Sequence, residues 1–137
     1  MKYFSHYTQE PQSKLFAECG SFFAFSDKQF YEQRNPELKY VSMGMGLICP
    51  KDNVKKLNEG LKSITIEAVK ADVKENGAEG IIDREYWNHE CQISMETDDA
   101  MESLAAHKEV FPELFTDDII YTVFAKAYRY ALKHDMF

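Results

Sequence analysis

The chain has 137 residues, 45% hydrophobic, 14% aromatic and 28% charged, with a formal net charge of −7. That balance excludes disorder, because it supplies apolar surface for an ordered interior. No run reaches the ~20 apolar residues of a membrane span, and the length fits one globular domain, expected over 1–137.

The charges are sorted along the chain. Residues 1–70 hold ten Lys/Arg against eight Asp/Glu, and residues 71–137 hold six against fifteen. The excess lies in 71–118, where fourteen acids face only Lys74, Arg84 and Lys108. Such asymmetry steers encounters with charged partners. Cys19, Cys49 and Cys91 are widely spaced and odd in number, which argues for buried thiols over a disulfide framework or a zinc site. The opening Met1-Lys2-Tyr3-Phe4-Ser5-His6 is too polar beyond Phe4 for a secretory signal, so a cytoplasmic protein is expected.

The elements follow in order. A first helix is predicted over 11–19, with Pro11 early and Gly20 after its last turn. Phe22-Phe23-Ala24-Phe25 reads as a strand. Ser26 with Gln29 reads as the capping box of a short helix through Arg34, ended by Asn35-Pro36. Residues 39–48 read as one strand pairing with 22–25, with Gly44 and Gly46 admitting a close neighbour. Pro50 opens a long helix over 51–75. Its stripe is Val54, Leu57, Leu61, Ile64 and Ala68, Gly60 weakens it, and Gly77 stops it.

A further helix is predicted over 79–91, while 92–96 fits either a strand or a helix end. Thr97 and Thr116 read as N-caps, each followed by two aspartates. A last helix over 117–134 carries Ile120, Phe124, Ala127, Tyr128 and Ala131 on one face. The predicted class is α+β: a mainly helical single domain, a small antiparallel β-ribbon packed by about five helices.

The densest polar cluster is Asp83-Arg84-Glu85-Tyr86-Trp87-Asn88-His89-Glu90-Cys91. Glu85 and His89 share a helix face, and a carboxylate holding an imidazole is used by general bases and metal sites. The alternative is a surface ion pair beside inward-packed Trp87 and Cys91. No metal-ligand or nucleophile motif is present, so no catalytic residue, metal or cofactor is assigned. Lys51, Lys55 and Lys62 lie near one face and suit phosphate contact, or simply the solvated side of a helix. Glu79, Asp83, Glu85, Glu90, Asp98, Asp99 and Glu102, with Asp72, Glu75 and Glu96, form a candidate acidic face for a basic protein. Solubility and helix N-termini also account for such acids.

Two segments carry a resemblance. One is Phe22-Phe23-Ala24-Phe25-Ser26-Asp27-Lys28-Gln29-Phe30, then the Gly-containing strand and Cys49-Pro50-Lys51-Asp52. The other is Arg84-Glu85-Tyr86-Trp87-Asn88-His89-Glu90, then Thr97-Asp98-Asp99-Ala100-Met101-Glu102-Ser103-Leu104. Over most of 20–105 this order resembles a poorly characterised family of small proteins of phages and other mobile elements of gut-type bacteria. The resemblance singles out Asn88, His89 and Glu90 but implies no active site.

It implies a binding protein acting in the bacterial host cell on host machinery, such as an anti-CRISPR inhibitor of an RNA-guided nuclease. The acidic face would dock on basic protein, and Lys51, Lys55 and Lys62 would touch guide RNA. The alternatives are a small hydrolase using Glu85, His89 and Glu90, or a homodimeric accessory protein built on Tyr3, Phe4 and Tyr7.

Overall fold

A computed structural model describes residues 2–136; Met1 and Phe137, the ends of the expected domain, lie outside the described residues. The fold is α+β, mainly helical, with one small antiparallel sheet. It divides into two compact units, Lys2–Thr65 and from Ile66 onward.

In the N-terminal unit, helix α1 spans Ser5–Cys19 and carries Pro11 inside it, so it begins earlier than the proline predicts. The reason is burial. Thr8, Leu15 and Cys19 fall on one inward stripe that extends past Pro11, and this outweighs the backbone hydrogen bond that proline cannot donate. At the end, Gly20 turns left-handed at φ +70°. Its N–H reaches Ala17 O at 3.2 Å, and Ser21 N–H reaches Phe16 O at 2.8 Å, the paired bonds of a Schellman cap.

Strand β1 (Phe22–Phe23) leads to helix α2 (Asp27–Gln33). The capping box forms as predicted: Gln29 N–H donates to Ser26 Oγ at 3.2 Å. The Gln29 side chain reaches one residue further back than usual and accepts from Phe25 N–H at 2.7 Å.

The single strand predicted over 39–48 is instead a hairpin, β2 (Tyr40–Ser42) and β3 (Leu47–Pro50). Gly44, Met45 and Gly46 all adopt positive φ, at +88°, +55° and +82°. The two glycines therefore reverse the chain; they do not admit a neighbour to a continuous strand. Leu47 returns its N–H to Gly44 O at 3.0 Å. The sheet has three antiparallel strands in the order β1-β3-β2, registered Phe22↔Ile48 and Val41↔Cys49.

A 3-10 turn, Lys51–Asn53, opens helix α3, Val54–Asn88. Leu15, Cys19, Cys49 and Leu57 form the buried core of this unit, flanked by Val54, Leu61 and Ile64 of the predicted stripe. Gly60 has a packing role: a Cβ there would sit 2.6 Å from Leu15 Cδ2.

α3 passes from one unit into the other and breaks where Gly77 predicts, at φ 72° and ψ 160°. Its second arm supplies Ile81, Ile82 and Tyr86 to the larger core. A single helical turn, α4 (Cys91–Ser94), occupies the segment left open in the sequence. Left-handed Glu90 and Met95 flank it, at φ 52° and 63°. Then come α5 (Asp98–Ser103), α6 (Ala105–Val110) and α7 (Asp117–Lys133). Thr116 caps α7, its Oγ1 accepting from Ile119 N–H at 3.2 Å. Thr97 sits at the start of α5 without a side-chain cap, so only half of that pair performs as predicted. Ile120, Phe124, Ala127 and Ala131 of α7 are buried, joined by Val123, while Tyr128 stays half-buried.

Candidate functional site

The polar residues that meet in this fold coincide only in part with those whose spacing advertised a site. Asp72, on the first arm of α3, is fully buried together with His107 of α6, and Arg84 and Glu85 of the second arm are nearly so. Twelve residues along a straight helix would separate Asp72 from Arg84 by ~18 Å. The break at Gly77 brings them into contact.

Arg84 then grips Asp72 through both terminal nitrogens, Nη1 to Oδ1 at 2.9 Å and Nη2 to Oδ2 at 3.0 Å. Asn76 Nδ2 donates to Oδ1 at 2.8 Å, and His107 Nε2 lies 2.8 Å from Oδ2. A carboxylate can only accept, so the His107 proton on that side is on Nε2. Four donors fill the four lone-pair positions of Asp72.

Burial alone would raise the Asp72 pKa. The hydrogen bonds from His107, Arg84 and Asn76, with the Arg84 charge, override it and hold the carboxyl down at about 2. Burial likewise opposes the Arg84 charge, and the bonds and charges of Asp72 and Glu85 override that too, so its pKa moves up.

Glu85 extends the network. Its Oε1 accepts from Arg84 Nε at 2.9 Å, and its Oε2 lies 3.5 Å from His89 Nε2. The predicted Glu85–His89 pair therefore exists, but Glu85 is buried behind Arg84, not set on a surface or in an open site. Glu90 adopts a left-handed backbone conformation just past α3, and both it and Asn88 are exposed. Of the three proposed hydrolase residues, Glu85 is buried, His89 half-buried and Glu90 exposed. Asp72, saturated and strongly acidic, is too weak a base to take up a substrate proton near neutral pH. Among the described residues, no group of three or more His, Cys, Asp or Glu is placed to hold a metal ion.

The acidic face needs correction at two positions. Asp72 and Glu85 are interior, where both are hydrogen-bonded to Arg84. Glu79, Glu90, Asp98, Asp99 and Glu102 are exposed and Asp83 is half-buried. Glu79 is paired with Lys126 at 2.9 Å, and Asp83 accepts the Trp87 indole N–H at 3.1 Å. Lys51, Lys55 and Lys62 are all exposed in the N-terminal unit, Lys55 lying 4.0 Å from Glu59.

Of the aromatics expected at a dimer surface, Tyr3 is exposed while Phe4 and Tyr7 are half-buried. The larger apolar surface lies on the hairpin side: Phe25 at 73% exposure, Met45 at 93%, with Phe23 and Tyr31. Phe23 and Phe25 stack there with an 11° interplanar angle. The period-two reading of 39–48 misses Met45, which sits at the tip of the turn at Gly44–Gly46. The buried network also escaped the sequence. Its one signal is an arginine among Ile81, Ile82 and Tyr86, since a charge in apolar company needs a buried partner.

Cys19, Cys49 and Cys91 are buried thiols, as expected, and burial pushes Cys19 and Cys91 upward. Among the described residues, no helix is long and apolar enough to cross a membrane. The chain belongs to a family of unknown function, DUF7659, whose family model matches residues 4–130. No curated protein and no solved structure matches it.

Proposed function

We propose that this chain is a non-catalytic binding protein whose acidic unit, from Ile66 onward, docks on a basic protein surface. The observation that carries the reading is the match between charge and architecture. The acidic unit holds sixteen Asp/Glu against seven Lys/Arg, and the N-terminal unit seven against nine. Only Asp72 and Glu85 of those acids are buried. Glu67, Glu79 and Asp117 are paired with lysines, and the excess of acids over lysines and arginines acts through space on a cationic partner. The two buried acids, Asp72 and Glu85, are meanwhile both hydrogen-bonded to Arg84.

The target class that the sequence resemblance implies is a host defence nucleoprotein, such as an RNA-guided CRISPR nuclease. Inhibition would be steric and electrostatic, with Lys51, Lys55 and Lys62 available to RNA. The test is affinity purification of the tagged protein from bacterial cells, with protein and RNA both identified. The expected result is a stoichiometric basic nucleoprotein that dissociates as salt rises. Asp98→Asn/Asp99→Asn/Glu102→Gln, at an unchanged Tm, should retain at least about tenfold less of it. A preparation without partner, or equal retention by the variant, would contradict the reading.

A further inference from the structure

A cleft of about 680 Å³ opens in the acidic unit between the second arm of α3 and α7. Trp87 and Tyr130 line it, their rings 6.3 Å apart and nearly perpendicular, with Glu79 and Asp83 beside them. Its resident cation is Lys126, which pairs with Glu79 at the exposed rim. Asp83 commits one oxygen to the indole N–H of Trp87. Its other oxygen has no hydrogen-bond partner among the described residues, so a negative group sits at the very edge of an aromatic plane.

We infer that this cleft receives an arginine side chain from a basic partner, the guanidinium stacked on Trp87 and paired with Asp83. Planar, weakly hydrated guanidinium suits an aromatic face and a carboxylate together, where a compact ammonium satisfies only one at a time. The volume falls in the range of small-ligand pockets and exceeds what one guanidinium fills. The apolar remainder, Val123 and Ala127, then takes a neighbouring apolar residue of the same segment. This deepens the proposed reading by naming where the acidic unit anchors its partner.

The test needs no partner. Trp87 is the only tryptophan, so its fluorescence reports this cleft alone. Acetyl-arginine amide is titrated in, with acetyl-norleucine amide as the uncharged control. The expected result is a saturable change with the arginine probe only. It should weaken about tenfold in Asp83→Asn and strengthen in Lys126→Met, which removes the competing cation. No saturation in the wild type, or equal response to both probes, would overturn the inference without touching the proposed function. Saturable arginine binding by a protein that captures no basic partner would instead uphold the cleft and overturn the function.

Discussion

Among the described residues, four buried hydrophobes, Leu15, Cys19, Cys49 and Leu57, make the core of the N-terminal unit, whereas eleven line the core beyond Ile66. Both units leave large hydrophobes in solvent, Phe23, Phe25, Tyr31 and Met45 in the first and Ile93, Met95, Tyr121 and Leu132 in the second. The larger core has room to bury Asp72, Arg84, Glu85 and His107 as well. The comparison separates two ways of holding a small fold. One relies on caps and a three-strand sheet around a thin interior. The other relies on a wide interior whose shape is fixed by a charge pair across a helix break. A buried pair is weak evidence of net stability, but removing one member is costly, because the other is left charged and unpaired.

The largest expected effect follows from that. Asp72→Ala removes both Nη bonds of buried Arg84, which keeps Glu85, and the Nε2 bond of His107, and should destabilise the protein by about 3 kcal/mol in denaturant unfolding. A loss below about 1 kcal/mol would mean that water or a rearranged side chain replaces Asp72 with ease.

Next is Gly77→Ala. Nothing lies within 4 Å of a Cβ there, so any cost is conformational: φ 72° with ψ 160° is a region nearly reserved for glycine. About 1–3 kcal/mol is expected. A gain in stability would show that the break is not required.

The N-terminal counterpart is Gly46→Ala, where φ is +82° and the new Cβ would lie 2.3 Å from the Phe25 ring. About 1–2 kcal/mol is expected from the left-handed backbone alone, with Phe25 swinging outward. If the units are held independently, Trp87 fluorescence should melt as in the parent protein while the far-ultraviolet signal loses an early fraction. The smallest effect separates two threonines: Thr116→Ala should cost about 1 kcal/mol and Thr97→Ala less than about 0.5 kcal/mol, since only Thr116 caps a backbone N–H.

Much of the fold could be read from local sequence because its signals are local. Ser26 with Gln29, Gly20, Gly77, Thr116 and the stripe from Val54 to Ala68 all act within a turn or two of their own helix. The errors came where a distant contact outweighed a local rule. Pro11 lies inside α1 because Thr8, before it, continues the buried stripe of Leu15 and Cys19. Gly44 and Gly46 form a turn that strand periodicity cannot register. In the candidate site, Glu85–His89 was readable as an i,i+4 pair. The partners that take Glu85 inside, Arg84 and through it Asp72 and His107, depend on a bend and on a helix whose His107 lies 35 residues from Asp72.

The most direct test of the contrast between the units is hydrogen exchange by mass spectrometry across acid pH. The Asp72 pKa is about 2 in the fold, below its ordinary 3.8. Its contribution, about 2 kcal/mol, is therefore fully present above pH 3.8 and lost as pH falls toward about 2. Between about pH 5 and about pH 2, the opening free energies of the second arm of α3 and of α6 should fall by roughly that amount. Those of α1 and the sheet should fall by clearly less. An equal decline in both units, or none in α6, would contradict the claim that a buried charge pair holds the acidic unit in shape.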